Sequence, residues 1–148
     1  MKVLLIEDNS HKKELIETFL KEQFADIEIN LKRSYNSGLR EIVKNQDYNL
    51  ILLDMSLPNY DIEPGETGGD FENAGELILK EMYRRDIGVN VVIVTMYHNY
   101  IDEQNNWELK QAFKNYLGVI YFDLNYPDSW KKELTELIRD NYDKNISC

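Results

Sequence analysis

Five short apolar runs, each followed by a stretch with helical spacing, constrain this chain more than any other feature. The runs cover residues 3–6, the alternating Ile27, Ile29 and Leu31, then residues 50–53, 91–94 and 119–122. Four of the five are continuous, which suits strands covered on both faces of a parallel sheet. Between them lie apolar stripes at helical period: Leu15, Ile16, Phe19 and Leu20, then Leu39, Ile42 and Val43, then Ala74, Leu77, Ile78 and Met82. Leu109, Ala112, Phe113, Tyr116 and Leu117 read as a fourth helical stripe, and Leu134, Leu137 and Ile138 as a fifth. A strand–helix unit repeated five times predicts a doubly wound α/β domain. At 148 residues, one domain spanning 1–148 is expected.

The balance of charge narrows the partners. A net charge of −10 argues against direct nucleic-acid binding, which needs a cationic face to displace counterions, and against anionic membrane surfaces. The opening MKVLLIEDNS turns acidic at Glu7, too soon for a signal-peptide core, and no apolar run reaches membrane-spanning length. The one cysteine, Cys148, offers neither a disulfide nor a thiolate metal site within the chain. A cytoplasmic setting is the expectation.

One segment departs from the repeat. Residues 58–71 read PNYDIEPGETGGDF, and no Lys or Arg occurs between Lys44 and Lys80. Long connections without structure of their own are uncommon in compact domains and are commonly functional. The expectation is a mobile lid after the third strand that gates access to Asp54 or contacts a partner, with a solvated surface insertion as the plainer reading.

Sites in open parallel sheets form at the carboxyl ends of the strands, where strand order reverses. Here the first strand ends in Glu7 and Asp8, the third in Asp54 and the fourth in Thr95. If strands one and three are neighbours, three carboxylates meet. Two such charges about 5 Å apart repel by roughly 3 kcal/mol at an effective dielectric near 20. The cluster must then take up a proton or a cation, and a hard divalent ion with oxygen ligands is the natural answer. Each residue also has a plainer reading: Asp8-Asn9-Ser10 as a helix cap, Asp54 as a turn former, Thr95 as an ordinary strand residue.

Taken together, Glu7-Asp8 after the first strand, Asp54-Met55-Ser56-Leu57-Pro58 after the third, Thr95 ending the fourth, and Gly75-Glu76-Leu77 opening the third helix resemble the receiver domain of response regulators. The resemblance implies a flavodoxin-like (βα)5 three-layer sandwich with strand order 2-1-3-4-5 and the insertion between strand 3 and helix 3. It implies a phosphoacceptor switch of a two-component or phosphorelay system, with Asp54 as nucleophile and Thr95 contacting the phosphoryl group. Mg2+, with Mn2+ as the alternative ion, would be held by Asp8, Asp54 and the backbone carbonyl of Ser56, with Glu7 acting through water. The implied partners are a histidine kinase or phosphotransfer protein, and a downstream protein on the face of the fourth helix, fifth strand and fifth helix. Tyr97, Tyr100, Trp107, Tyr116, Tyr121, Phe122, Tyr126 and Trp130 enrich that part of the chain in aromatic side chains of the kind favoured at interfaces, although Tyr116 and Phe122 fit apolar periodicities and read as core.

The pattern is broken at one point. Receivers carry a lysine at the end of the fifth strand, but neither Lys nor Arg occurs between Asn115 and Trp130. Leu124, Asn125 or Tyr126 falls in that slot, of which Asn125 can donate a hydrogen bond without charge. Lys131 and Lys132 are the cations nearby in sequence. The missing lysine leaves a second reading, a pseudo-receiver interaction module that does not cycle phosphate. A third, a small Mg2+-dependent phosphohydrolase, lacks an acid two residues after Asp54, where Ser56 stands.

Overall fold

In the computed structural model, residues 1–61, 70–96 and 101–142 are described. The chain runs β1 (Lys2–Ile6), α1 (Ser10–Gln23), β2 (Glu28–Lys32), α2 (Tyr35–Lys44), β3 (Leu50–Leu53), β4 (Leu57–Pro58), β5 (Asp70–Phe71), α3 (Ala74–Arg84), β6 (Asn90–Thr95), α4 (Glu103–Ala112), β7 (Tyr116–Tyr121) and α5 (Pro127–Asn141). Five strands form one parallel sheet in the order β2-β1-β3-β6-β7, and β4 pairs with β5 apart from it. Counting only the main sheet, this is the expected order 2-1-3-4-5.

The continuous apolar runs become intelligible once both faces are covered. Leu4, Ile6, Ile51, Leu53, Val91 and Ile93 point into one core with Ile42 of α2, Ile78, Leu79 and Met82 of α3 and Leu109 of α4. The alternate residues Val3, Leu5, Leu50, Leu52, Val92 and Val94 point the other way, onto Ile16, Phe19 and Leu20 of α1 and Trp130, Leu134 and Ile138 of α5. Strand β2 lies at an edge and its residues are only partly covered, which is why its apolar positions alternate.

One expectation is corrected by the packing. The fourth helical stripe does not run to Leu117: α4 ends at Ala112, the N–H of Phe113 closes it onto the Leu109 carbonyl, and Tyr116 and Leu117 open β7. The N–H of Val91 then bonds the Asn115 carbonyl, so sheet pairing overrides a periodicity that happens to continue across the turn. The strand opens on a bulge: Val91 pairs with Tyr116 but Val92 pairs with Gly118, whose φ of +146° is a conformation glycine adopts readily.

The insertion is tied at both ends. Leu57 pairs with Phe71 and Pro58 with Asp70 in an antiparallel ladder. Asn59 accepts from the backbone N–H and the side chain of Asn36, and Asp61 accepts from the hydroxyl of Ser37, so the segment docks on the first turn of α2. Its remainder, 62–69, on which the expected lid depends, lies outside the described residues, as do Tyr97 and Tyr100.

Candidate functional site

Register between neighbouring strands builds the site. Ile6 pairs with Leu53, and the N–H of Asp54 continues the ladder by donating to the Ile6 carbonyl at 3.1 Å. The residues just beyond, Glu7 and Asp8 on one strand and Asp54 on the other, therefore leave the sheet side by side. Their carboxylates can present oxygens all within 4.8 Å of one another. Glu7 is buried, Asp54 half-buried and Asp8 exposed, so the cluster is graded from interior to solvent. Thr95, fully buried, ends β6 beside β3. Ser56 lies half-buried two residues beyond Asp54. The N–H of Gly75 donates to the Met55 carbonyl at 3.1 Å, seating the start of α3 against this turn.

Helix capping falls to Asn9, whose side chain accepts from the N–H of Lys12, while the Asn9 N–H donates to Glu7 Oε1 at 3.0 Å. Asp8 does not fill the capping role.

The cation of the site comes from an unexpected place. Lys12, in the first turn of α1, is 2% exposed, and its ammonium lies 2.5 Å from Glu7 Oε2 and 3.3 Å from Asp54 Oδ1. It also donates to the Val94 carbonyl at 2.6 Å. Nothing in the motif pattern marks it, but it shares the inward stripe of Ile16, Phe19 and Leu20 at helical spacing, and a lysine on a buried stripe is itself a signal. The slot at the end of the fifth strand is filled differently from expectation. Phe122, buried, follows β7 directly, and its ring centre lies 5.9 Å from the Lys12 ammonium. Asn125 is exposed in the following turn, its N–H bonded to Asp123. Lys131 lies over the rings of Phe19 and Trp130.

Charge in the pocket is not balanced by Lys12. Burial pushes the Glu7 carboxyl up from its ordinary 4.5 to about 8; Lys12 opposes the shift and the charge of Asp54 adds to it. Glu7 Oε2 has the ammonium as ion-pair partner yet makes no hydrogen bond of ordinary geometry. Surplus negative charge, three convergent carboxylates and an under-bonded buried oxygen suit a hard divalent cation, which would displace the Glu7 proton. Asp54 Oδ1 accepts from the Met55 N–H at 2.8 Å as well as facing Lys12, which leaves Oδ2 for attack or ligation.

Comparison with known proteins bears on the fold that carries this site. No protein-family model matches the sequence. The chain is 29% identical over 150 residues to the Detocs response regulatory protein DtcB of Enterobacter cloacae, covering 95% of this chain and 99% of that one. The CheY-like response regulator receiver domain protein of Methanospirillum hungatei superposes with a TM-score of 0.67 at 20% identity, covering 99% of this chain and 96% of that one. The response regulator TrrA of Thermotoga maritima, in complex with Mg2+–BeF, superposes with a TM-score of 0.62 at 19% identity over 92% and 97% of the two chains. The solved structures share the fold, and the curated relative, matched nearly end to end, is itself a response regulatory protein. The fold is that of CheY-like receiver domains, and over nearly its whole length the chain is similar to a response regulatory protein.

Proposed function

We propose that this chain is a phosphoacceptor switch in which Asp54 accepts a phosphoryl group from a histidine kinase or phosphotransfer protein. The observation that carries the reading is the convergence of Glu7, Asp8 and Asp54 within 4.8 Å at neighbouring strand ends. A free oxygen of Asp54 attacks the phosphorus of a phosphohistidine; the O–P bond forms, the P–N bond breaks, and the imidazole nitrogen keeps the electron pair. Asp8, Asp54 and the Ser56 carbonyl would hold Mg2+ or Mn2+, with Glu7 behind them, and the ion would neutralise charge on the phosphoryl oxygens. The Thr95 hydroxyl hydrogen-bonds the transferred group and carries the change to the end of β6.

Output passes through protein contacts. The face of α4, β7 and α5 carries Glu103, Glu133, Glu136 and Asp140 against Lys110, so a partner with basic side chains suits it. Trp107 stands exposed on α4. No described helix is long and apolar enough to cross a membrane, and the switch is proposed to work in the cytoplasm.

The absence of Lys and Arg from the end of the fifth strand favours a second reading, a pseudo-receiver that binds partners without cycling phosphate. Intact-mass measurement after incubation with acetyl phosphate and Mg2+ separates the two. One added phosphoryl group in the wild type, absent in Asp54→Ala, is the expected result. An unmodified wild type leaves the pseudo-receiver reading, and modification that persists in Asp54→Ala removes Asp54 as the acceptor.

A further inference from the structure

We propose that Lys12 is the phosphoryl-contacting cation of this receiver, delivered by the first helix in place of the fifth-strand lysine; this rests on Asp54 being the acceptor. Local structure does not account for a lysine here. Position 12 lies in the first turn of α1, where the helix dipole opposes a cation, and on the stripe that buries Ile16, Phe19 and Leu20. An apolar side chain would satisfy both. What the position does offer is three oxygens around the ammonium: a hydrogen bond to the Val94 carbonyl at 2.6 Å and ion pairs with Glu7 Oε2 at 2.5 Å and Asp54 Oδ1 at 3.3 Å. The contact to Asp54 is the longest of the three and the one with room to tighten.

Chemistry at Asp54 supplies the reason for it to tighten. With acetyl phosphate as donor, a carboxylate oxygen of Asp54 forms the new O–P bond. The donor's P–O bond breaks and acetate leaves with the electron pair; no proton has to move. A singly charged carboxylate becomes a doubly charged acyl phosphate, a stronger acceptor than the neutral Val94 carbonyl. The ammonium, already beside that carboxylate, is drawn to the new oxygens. Its release of Val94, the residue before Thr95, carries the event to the end of β6. At the end of the fifth strand the buried ring of Phe122 backs Lys12, and no Lys or Arg competes for the role between Asn115 and Trp130.

The test compares wild type, Lys12→Met, Glu7→Gln and Glu7→Gln/Lys12→Met. Phosphorylation by acetyl phosphate at saturating Mg2+ is followed by intact mass, and Mg2+ binding to the unmodified proteins by calorimetry. Loss of one charge-assisted contact should slow Lys12→Met roughly ten- to a hundredfold. Mg2+ should bind at least as tightly, because a positive charge has left the pocket. Should Lys12→Met fail to fold, the two Glu7→Gln proteins give the same comparison, since the double variant leaves no unpaired buried charge. If the wild type is never phosphorylated, the assignment of Asp54 fails and this one with it. If the wild type is modified and removing Lys12 leaves the rate unchanged or raises it, Lys12 alone loses its role. Parallel loss of phosphorylation and Mg2+ binding would reduce Lys12 to a prop for the pocket and overturn the proposal.

Discussion

Gly38 of α2 faces Ile6 of β1 so closely that a methyl group on Gly38 would fall 2.8 Å from Ile6 Cδ1 and 2.9 Å from its Cγ2. Ile6 is fully buried and immediately precedes Glu7, so this contact sets how α2 lies against the strand that presents the acidic pair. Alanine is better than glycine in a helix by about 1 kcal/mol, whereas overpacking a rigid core costs roughly 1–3 kcal/mol. Gly38→Ala should therefore lower stability by about 1 kcal/mol in urea denaturation. Adding Ile6→Val, which removes Cδ1, should recover part of that loss. Strict additivity of the two substitutions would show that the contact is not the cause.

Mg2+ should stabilise the wild type by mass action, by about 2.7 kcal/mol at a hundredfold excess over Kd. For a domain of this size that is a rise of roughly 2 to 4 °C in Tm for each kcal/mol. Asp8→Asn should lose most of the rise while keeping its metal-free Tm, because Asp8 is the exposed member of the cluster. Equal Mg2+-dependent shifts in both proteins would place the ion elsewhere.

Glu7 gives the metal-free protein a pH dependence of definite sign. Its carboxyl is raised from 4.5 to about 8 by burial, so between those values the folded chain keeps a proton that the unfolded chain has lost. The contribution of Glu7 to stability in a chelating buffer should be level below pH 4.5, fall as pH rises towards 8, and level off above it. The slope is at most about 1.4 kcal/mol per pH unit. Glu7→Gln should flatten the profile, and saturating Mg2+ should do the same by driving the proton off. A profile that keeps its slope in Glu7→Gln assigns it to another group.

The two tryptophans should behave as opposites. Trp130 is 1% exposed and packs between Phe19 and Phe122, with ring centres 5.3 and 4.8 Å away, whereas Trp107 is 57% exposed. Trp130→Ala should lose roughly 3–5 kcal/mol, and Trp107→Ala should stay within about 0.5 kcal/mol of wild type. Iodide should quench only the fluorescence lost in Trp107→Ala. A stability loss in Trp107→Ala comparable to that of Trp130→Ala would contradict the packing.

The aromatic pair also marks where sequence reading stops. Trp130 and Trp107 lie in the same aromatic-rich stretch, and nothing local separates an interface side chain from one buried between α1 and α5. The helical stripe ending at Tyr116 and Leu117 failed for a related reason: apolar positions three and four apart persist across the turn at residues 113–115, and only pairing with β6 turns them into a strand. The ends of the insertion found partners on α2 and on each other, contacts that bridge residues too distant for a local pattern to reveal.

What the sequence determined by itself was the doubly wound architecture and the acidic strand ends. Continuous apolar runs can be covered only on two faces, and an acid after such a run must emerge at the carboxyl edge of the sheet. Tertiary structure decided which cation serves those acids. Lys12 and Asp54 are far apart in the chain, and they meet because α1 packs back across β1 and β3 with residue 12 on its inward stripe. Burial there removes the water that would otherwise screen the ammonium, so its charge is spent on Glu7, Asp54 and the Val94 carbonyl. A one-dimensional pattern records a lysine on a helix; only the packed sheet gives it acceptors.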